Sequence, residues 1–163
     1  MLIAIGLIFT NFIFFFLKPC VMTYSNRPKI WFWAVVIIFL LWNLIGLGFL
    51  TTEILAPEVV TDLMNEEQLE LYNNRPSWYL FNYGIAVLTG LFAAVALLFK
   101  RKMAVLLSLI SLLCIFISTG YYISIGAWNI MSEPDRFLFI TIPLLGLLLW
   151  VFARNVRFKG WLS

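Results

Sequence analysis

Histidine is absent from the chain, and Cys20 and Cys114 are its only thiols. This removes the His-based zinc and haem ligand sets and the Cys–His nucleophile pairs, so neither a metal nor another cofactor is expected. Cys20 adjoins Lys18 and Pro19, whereas Cys114 sits inside an apolar run. They belong at different depths and no disulfide is expected; each reads as a small apolar side chain. Charge is scarce as well. Only 12% of residues are charged, against about 25% in soluble domains, while 63% are hydrophobic and 18% aromatic. A net charge of +3 could suggest nucleic acid, but such a partner needs Lys and Arg gathered on one solvated face. Here the basic residues flank apolar runs, so no nucleic acid is expected.

What is present is four long apolar segments, 31–50, 78–99, 103–125 and 137–153, none holding a formal charge. About 20 apolar residues cross a hydrocarbon core. In lipid each backbone N–H and C=O must be satisfied within its own segment, so the runs predict α-helices. The expected fold class is an all-α integral membrane protein, a four-helix transmembrane bundle. Pro143 and Gly146 lie in the fourth run, where a bend is tolerated if neighbours or Thr141 satisfy the freed carbonyl.

Charge sorting gives the orientation. Lys18, Arg27 and Lys29 precede the first long segment, Lys100 to Lys102 join the second to the third, and Arg154, Arg157 and Lys159 follow the fourth. All eight acids fall in the other two connections, where only Arg75 and Arg136 join them. Basic residues accumulate on the cytoplasmic side in short loops. The C-terminus is therefore expected in the cytoplasm, with loops 51–77 and 126–136 outside it. Tryptophans 31, 33, 78, 128, 150 and 161 lie near predicted helix ends, the depth that amphipathic rings prefer.

The division expected is 1–28, an N-terminal apolar segment with a cytoplasmic linker, and 29–163, the four-helix domain. Residues 2–17 are apolar but short. A cleaved signal needs a basic residue before its apolar run, whereas Lys18 follows it. A fifth helix fits the charge rule if the bilayer thins locally, and this reading is preferred. Translation beginning at Met22 is the remaining alternative.

Loop 51–77 reads as short helices with a solvated acidic face. Pro57 and Glu58 suit a first helical turn, and Asn65 before Glu66, Glu67 and Gln68 is an N-cap pattern extending through Tyr72. Val60, Leu63, Met64 and Leu71 form an apolar stripe facing membrane or bundle. The loop contains no glycine, so it lacks the sharp turn of an EF-hand.

Within the spans, polar residues cluster toward the acidic end: Asn43, Asn82, Tyr83, Ser118, Thr119, Tyr121, Tyr122, Ser124 and Thr141. Two readings follow. Such groups bind neighbouring helices at about 0.6 kcal/mol each, or they line an outward-facing vestibule for a small neutral solute, with Asn43, Asn82, Tyr83, Ser118 and Tyr122 as its binding groups. Gly46, Gly48, Gly84, Gly90, Ala94 and Gly120 read as close-packing positions. No charge lies mid-span to serve ion coupling.

Lys29-Ile-Trp-Phe-Trp33, Trp42-Asn-Leu-Ile-Gly46, Leu71-Tyr72 with Pro76-Ser-Trp78, the Lys100-Arg-Lys102 turn and Lys159-Gly-Trp-Leu162 occur in an order that resembles a family of small uncharacterised four-helix bacterial membrane proteins, often labelled sugar transporters. The resemblance spans residues 29–163 and implies a bacterial cytoplasmic membrane location with a four-helix core. No nucleophile–base pair is recognisable, so a non-enzymatic role is expected. It is either an accessory or structural subunit engaging another membrane protein or further copies of itself, or a binder or facilitator of a small neutral solute.

Overall fold

The computed structural model describes residues 28–163; the 2–17 segment, Cys20 and Met22 lie outside them. In chain order the helices are α1 (Ile30–Leu55), α2 (Pro57–Thr61), α3 (Glu66–Asn73), α4 (Ser77–Leu98), α5 (Met103–Ser124) and α6 (Glu133–Phe158), with a 3-10 turn at Ala127–Asn129. No strand occurs among the described residues. α1, α4, α5 and α6 are long and apolar enough to cross a membrane. At 22 or 26 residues each they measure about 33–39 Å, against a hydrocarbon core of about 30 Å.

The expected boundaries of α4 and α5 agree with these to within one residue, but α1 and α6 run longer than 31–50 and 137–153. A charge-free run measures the apolar span, and a helix persists past it wherever local chemistry allows. The Thr51 and Thr52 hydroxyls bond back to the Gly48 carbonyl at 2.8 and 3.1 Å, and the helix carries on through Glu53, which the sequence reading assigned to the loop. At the start of α6, Ser132 caps the Asp135 N–H, and Pro134 and two acids occupy the first turn, all favourable there. The loop helices form as expected. Asn65 and Gln68 make a reciprocal capping box, and Leu63 of the proposed apolar stripe is 85% exposed, so it does not pack on the bundle.

The charge sorting gives the bundle a basic end and an acidic end. Buried side chains concentrate at the basic end: Phe32, Val36 and Phe39 of α1, Ala93 and Leu97 of α4, Ala104 of α5, and Leu149, Phe152 and Val156 of α6 form one core. Phe32 stacks on Phe152 at 5.8 Å, closing α1 onto α6. The residues after α6 fasten the same end. Trp161 N–H bonds the Val156 carbonyl at 3.1 Å and Gly160 N–H the Arg157 carbonyl at 2.9 Å, a helix stop that needs the left-handed φ of 69° at Gly160. The chain then docks on the α4–α5 turn: Ser163 N–H bonds the Lys100 carbonyl at 2.7 Å, and Lys102 N–H bonds the Ser163 carbonyl at 3.2 Å. Trp161 and Leu162 are buried by this return.

α4 ends in the same type of stop, but with Lys100 at φ 54°. A side chain in that conformation costs about 1 kcal/mol or more relative to glycine. The position keeps a cation where backbone sterics alone favour glycine.

Of the expected close-packing positions, Ala94 is buried and Gly90 is tightly enclosed, while Gly48, Gly84 and Gly120 have open space where a side chain would be. Gly146 is instead a close approach: a Cβ there would lie 3.0 Å from Ile115 Cδ1 and 3.4 Å from Leu112 Cδ1, so α5 rests on α6 at this point. Nor does Thr141 compensate Pro143. Its hydroxyl bonds the Phe137 carbonyl at 2.7 Å, whereas the carbonyl deprived of an N–H by a proline belongs to the residue four earlier, Phe139.

Candidate functional site

The five polar residues proposed from sequence fall at three places. In the first, α1, α4 and α5 meet at Gly90. The Asn43 amide donates to the Phe39 carbonyl of its own helix at 2.8 Å, and its Oδ1 occupies the space a Gly90 side chain would need. On the other flank the buried Ser111 hydroxyl donates to the Ala86 carbonyl of α4 at 2.7 Å and stands 3.0 Å from the same space. Only glycine admits both. Ser111 is not among the polar residues singled out from the sequence, which gives no sign of its place beside Asn43.

The second place joins α4 to α5. The Asn82 amide donates to the Cys114 carbonyl and to the Ser118 hydroxyl, each at 2.8 Å. One asparagine thereby occupies both a backbone acceptor and the hydroxyl proposed as its companion in solute binding. Tyr83 turns the other way, its hydroxyl reaching the Gly46 carbonyl of α1 at 3.4 Å.

The third is an aromatic cluster at the acidic end, and Tyr122 belongs to it. The Tyr79 ring lies 5.3 Å from Tyr122 and 5.8 Å from Tyr121, and Trp78 meets Tyr121 edge-on at 5.4 Å. Over this platform sits Arg75. Its guanidinium is 3.9 Å from the centre of the Tyr72 ring and 5.1 Å from that of Tyr79, and it pairs with Glu53 at 2.6 Å with both side chains less than 15% exposed. Burial pulls the Arg75 pKa down, but the hydrogen bond and charge of Glu53 outweigh it and hold the guanidinium above its ordinary range.

Sequence reasoning placed Arg75 among the acids and saw no partner for it. The signal that could have found the pair is helical phase: once α1 runs to Leu55, Glu53 lies seven residues, about two turns, beyond Gly46, on the side that faces α4. The second outlying base is paired too, Arg136 with Glu133 at 2.7 Å. A further link, Gln68 Nε2 to Asp135 Oδ2 at 3.2 Å, ties α3 to the start of α6, so the acidic connection is fastened at both ends.

Neither principal cleft gathers the five residues. One, about 500 Å³ and apolar, opens sideways between α5 and α6 and is lined by Thr119, Ile123, Trp128, Phe139, Ile140 and Pro143. The other is a shallow depression at Asn65, Glu66 and Glu67. Among the described residues no three His, Cys, Asp or Glu side chains stand close enough to hold a metal, and Cys114 is a free thiol.

Comparison with known proteins gives no kinship. No protein-family model, no curated protein and no solved structure matches the chain. Asn82, Ser118 and Tyr83 act as fastenings between helices.

Proposed function

We propose that the chain crosses a bacterial cytoplasmic membrane four times, with its basic end and C-terminus in the cytoplasm and loops 51–77 and 126–136 outside. In this reading it serves, without enzymatic activity, as an accessory or structural subunit that engages another membrane protein. The observation that carries this reading is the use made of the intramembrane polar groups: Asn82, Ser118 and Tyr83 bond across helices, and Asn43 fills a three-helix junction. A solute site needs such groups turned toward a shared void, and the larger cleft is apolar and open sideways instead. The flanks offered to a neighbour are broad and apolar, with Ile38, Ile45 and Phe49 of α1 and Phe137 and Ile140 of α6 all more than half exposed.

Purification in mild detergent after chemical cross-linking, followed by mass spectrometry, tests the reading. A membrane protein should be recovered at fixed stoichiometry, with cross-links to the loops or to the α1 and α6 flanks. Asn82→Leu should cost about 1 kcal/mol of stability and leave that partner bound. A chain recovered alone, carrying a small neutral molecule that Asn43→Leu or Asn82→Leu removes, would instead establish the solute-binding alternative.

A further inference from the structure

The two ends of the bundle treat their cations differently. At the acidic end both arginines have carboxylates within 2.7 Å. At the basic end Lys100, Arg101 and Lys102 of the α4–α5 turn and Arg154, Arg157 and Lys159 of α6 form no ion pair among the described residues, and residues 1–52 contain no Asp or Glu. Three of these cations are held by rings. The Lys100 ammonium is 5.5 Å from the centre of Trp33, Lys159 is 5.3 Å from Trp31 and 5.2 Å from Trp161, and Arg154 is 5.5 Å from Trp150.

From this geometry we infer that the basic end is a docking surface for anionic phospholipid headgroups, centred on Lys100 over Trp33 and on Lys159 over the Trp31–Trp161 pair. The rings decide the depth. Tryptophans at the ends of apolar spans sit at headgroup level, so ammonium groups resting on their faces lie at the level of lipid phosphate. Position on the fold decides the shape of the partner. The cations are spread around the end of the bundle on two separate elements, so a layer of phosphodiesters matches them, where an acidic peptide would need them gathered along one line. The left-handed backbone at Lys100 adds a third reason: a cation stands at a position whose sterics favour glycine, and it rests over the Trp33 ring.

The purified full chain in neutral detergent, titrated with short-chain phosphatidylglycerol, phosphatidylcholine or inorganic phosphate and followed by native mass spectrometry, tests this inference. Phosphatidylglycerol should be retained in preference to phosphatidylcholine, and inorganic phosphate should not displace it. With juxtamembrane bases contributing about fivefold each, Lys100→Gln/Lys159→Gln should weaken phosphatidylglycerol binding roughly 25-fold without changing phosphatidylcholine. Arg136→Gln at the other end should have no effect. If the first variant does not fold, Arg101→Gln/Lys102→Gln, two exposed side chains, should lower binding in the same direction. Equal retention of the two lipids, displacement by phosphate, or indifference to the basic-end substitutions would overturn the inference. None of these results depends on whether the chain is an accessory subunit.

Discussion

Gly90→Ala is expected to destabilise the protein by roughly 1–3 kcal/mol, the usual cost of forcing an extra carbon into a packed interior. The added Cβ would occupy the site of Asn43 Oδ1 and stand 3.0 Å from Ser111 Oγ. Asn43 can retreat only by giving up its 2.8 Å bond to the Phe39 carbonyl, and Ser111 is anchored to the Ala86 carbonyl. An Asn43→Ala change in the same chain should recover much of the loss, because it empties the contested space; the coupling between the two sites is what a double-mutant cycle measures. Gly84→Ala is the matched control. It too lies in α4, but with nothing within 4 Å of the new carbon it should be neutral or stabilising by up to about 1 kcal/mol, the helical gain of alanine over glycine. Unfolding of the solubilised protein, followed by tryptophan fluorescence, separates these outcomes. Equal behaviour of Gly90→Ala and Gly84→Ala would refute the three-helix junction.

Glu53→Gln should be the more damaging of the polar substitutions, at about 3 kcal/mol, since breaking a largely buried ion pair from one side strands the remaining charge. Arg75 would lose its carboxylate while still enclosed by Tyr72 and Tyr79. Replacing both members, as Glu53→Leu/Arg75→Met, should restore most of the stability, because an apolar pair of similar volume avoids the desolvation penalty altogether. A double variant as unstable as Glu53→Gln would show that the pair contributes more than mutual neutralisation. Arg75 itself imposes no pH dependence in the working range. Its folded-state pKa is raised, so the stability it contributes is fully present below its unfolded value and is lost only as pH climbs above that already strongly alkaline range.

The four-helix pattern was legible because two independent signals, apolar length and charge sorting, point to the same segments. Helix ends were less so, since the apolar run stops at Leu50 while the helix, supported by the threonine back-bonds to Gly48, does not. That one extension changes the chemistry at the acidic end by delivering Glu53 to Arg75. Asn65 declared its cap outright, because an N-cap depends on residues only three positions apart. The polar residues of the spans were recognised individually, but their pairing depends on the rotation of each helix against its neighbours. Asn82 with Ser118 is 36 residues apart in sequence, and no local pattern gives that register. Glycines show the same limit. Gly84 and Gly90 look alike in sequence, and only helix contact distinguishes the open position from the enclosed one.

Cysteine accessibility in intact cells tests the four-span, charge-sorted arrangement most directly, using single cysteines at Glu66 and at Arg101 in a chain whose Cys20 and Cys114 have been changed to serine. A membrane-impermeant maleimide applied from outside should label the Glu66 position at once and reach the Arg101 position only after the membrane is opened. Labelling of both from the same side would contradict the arrangement.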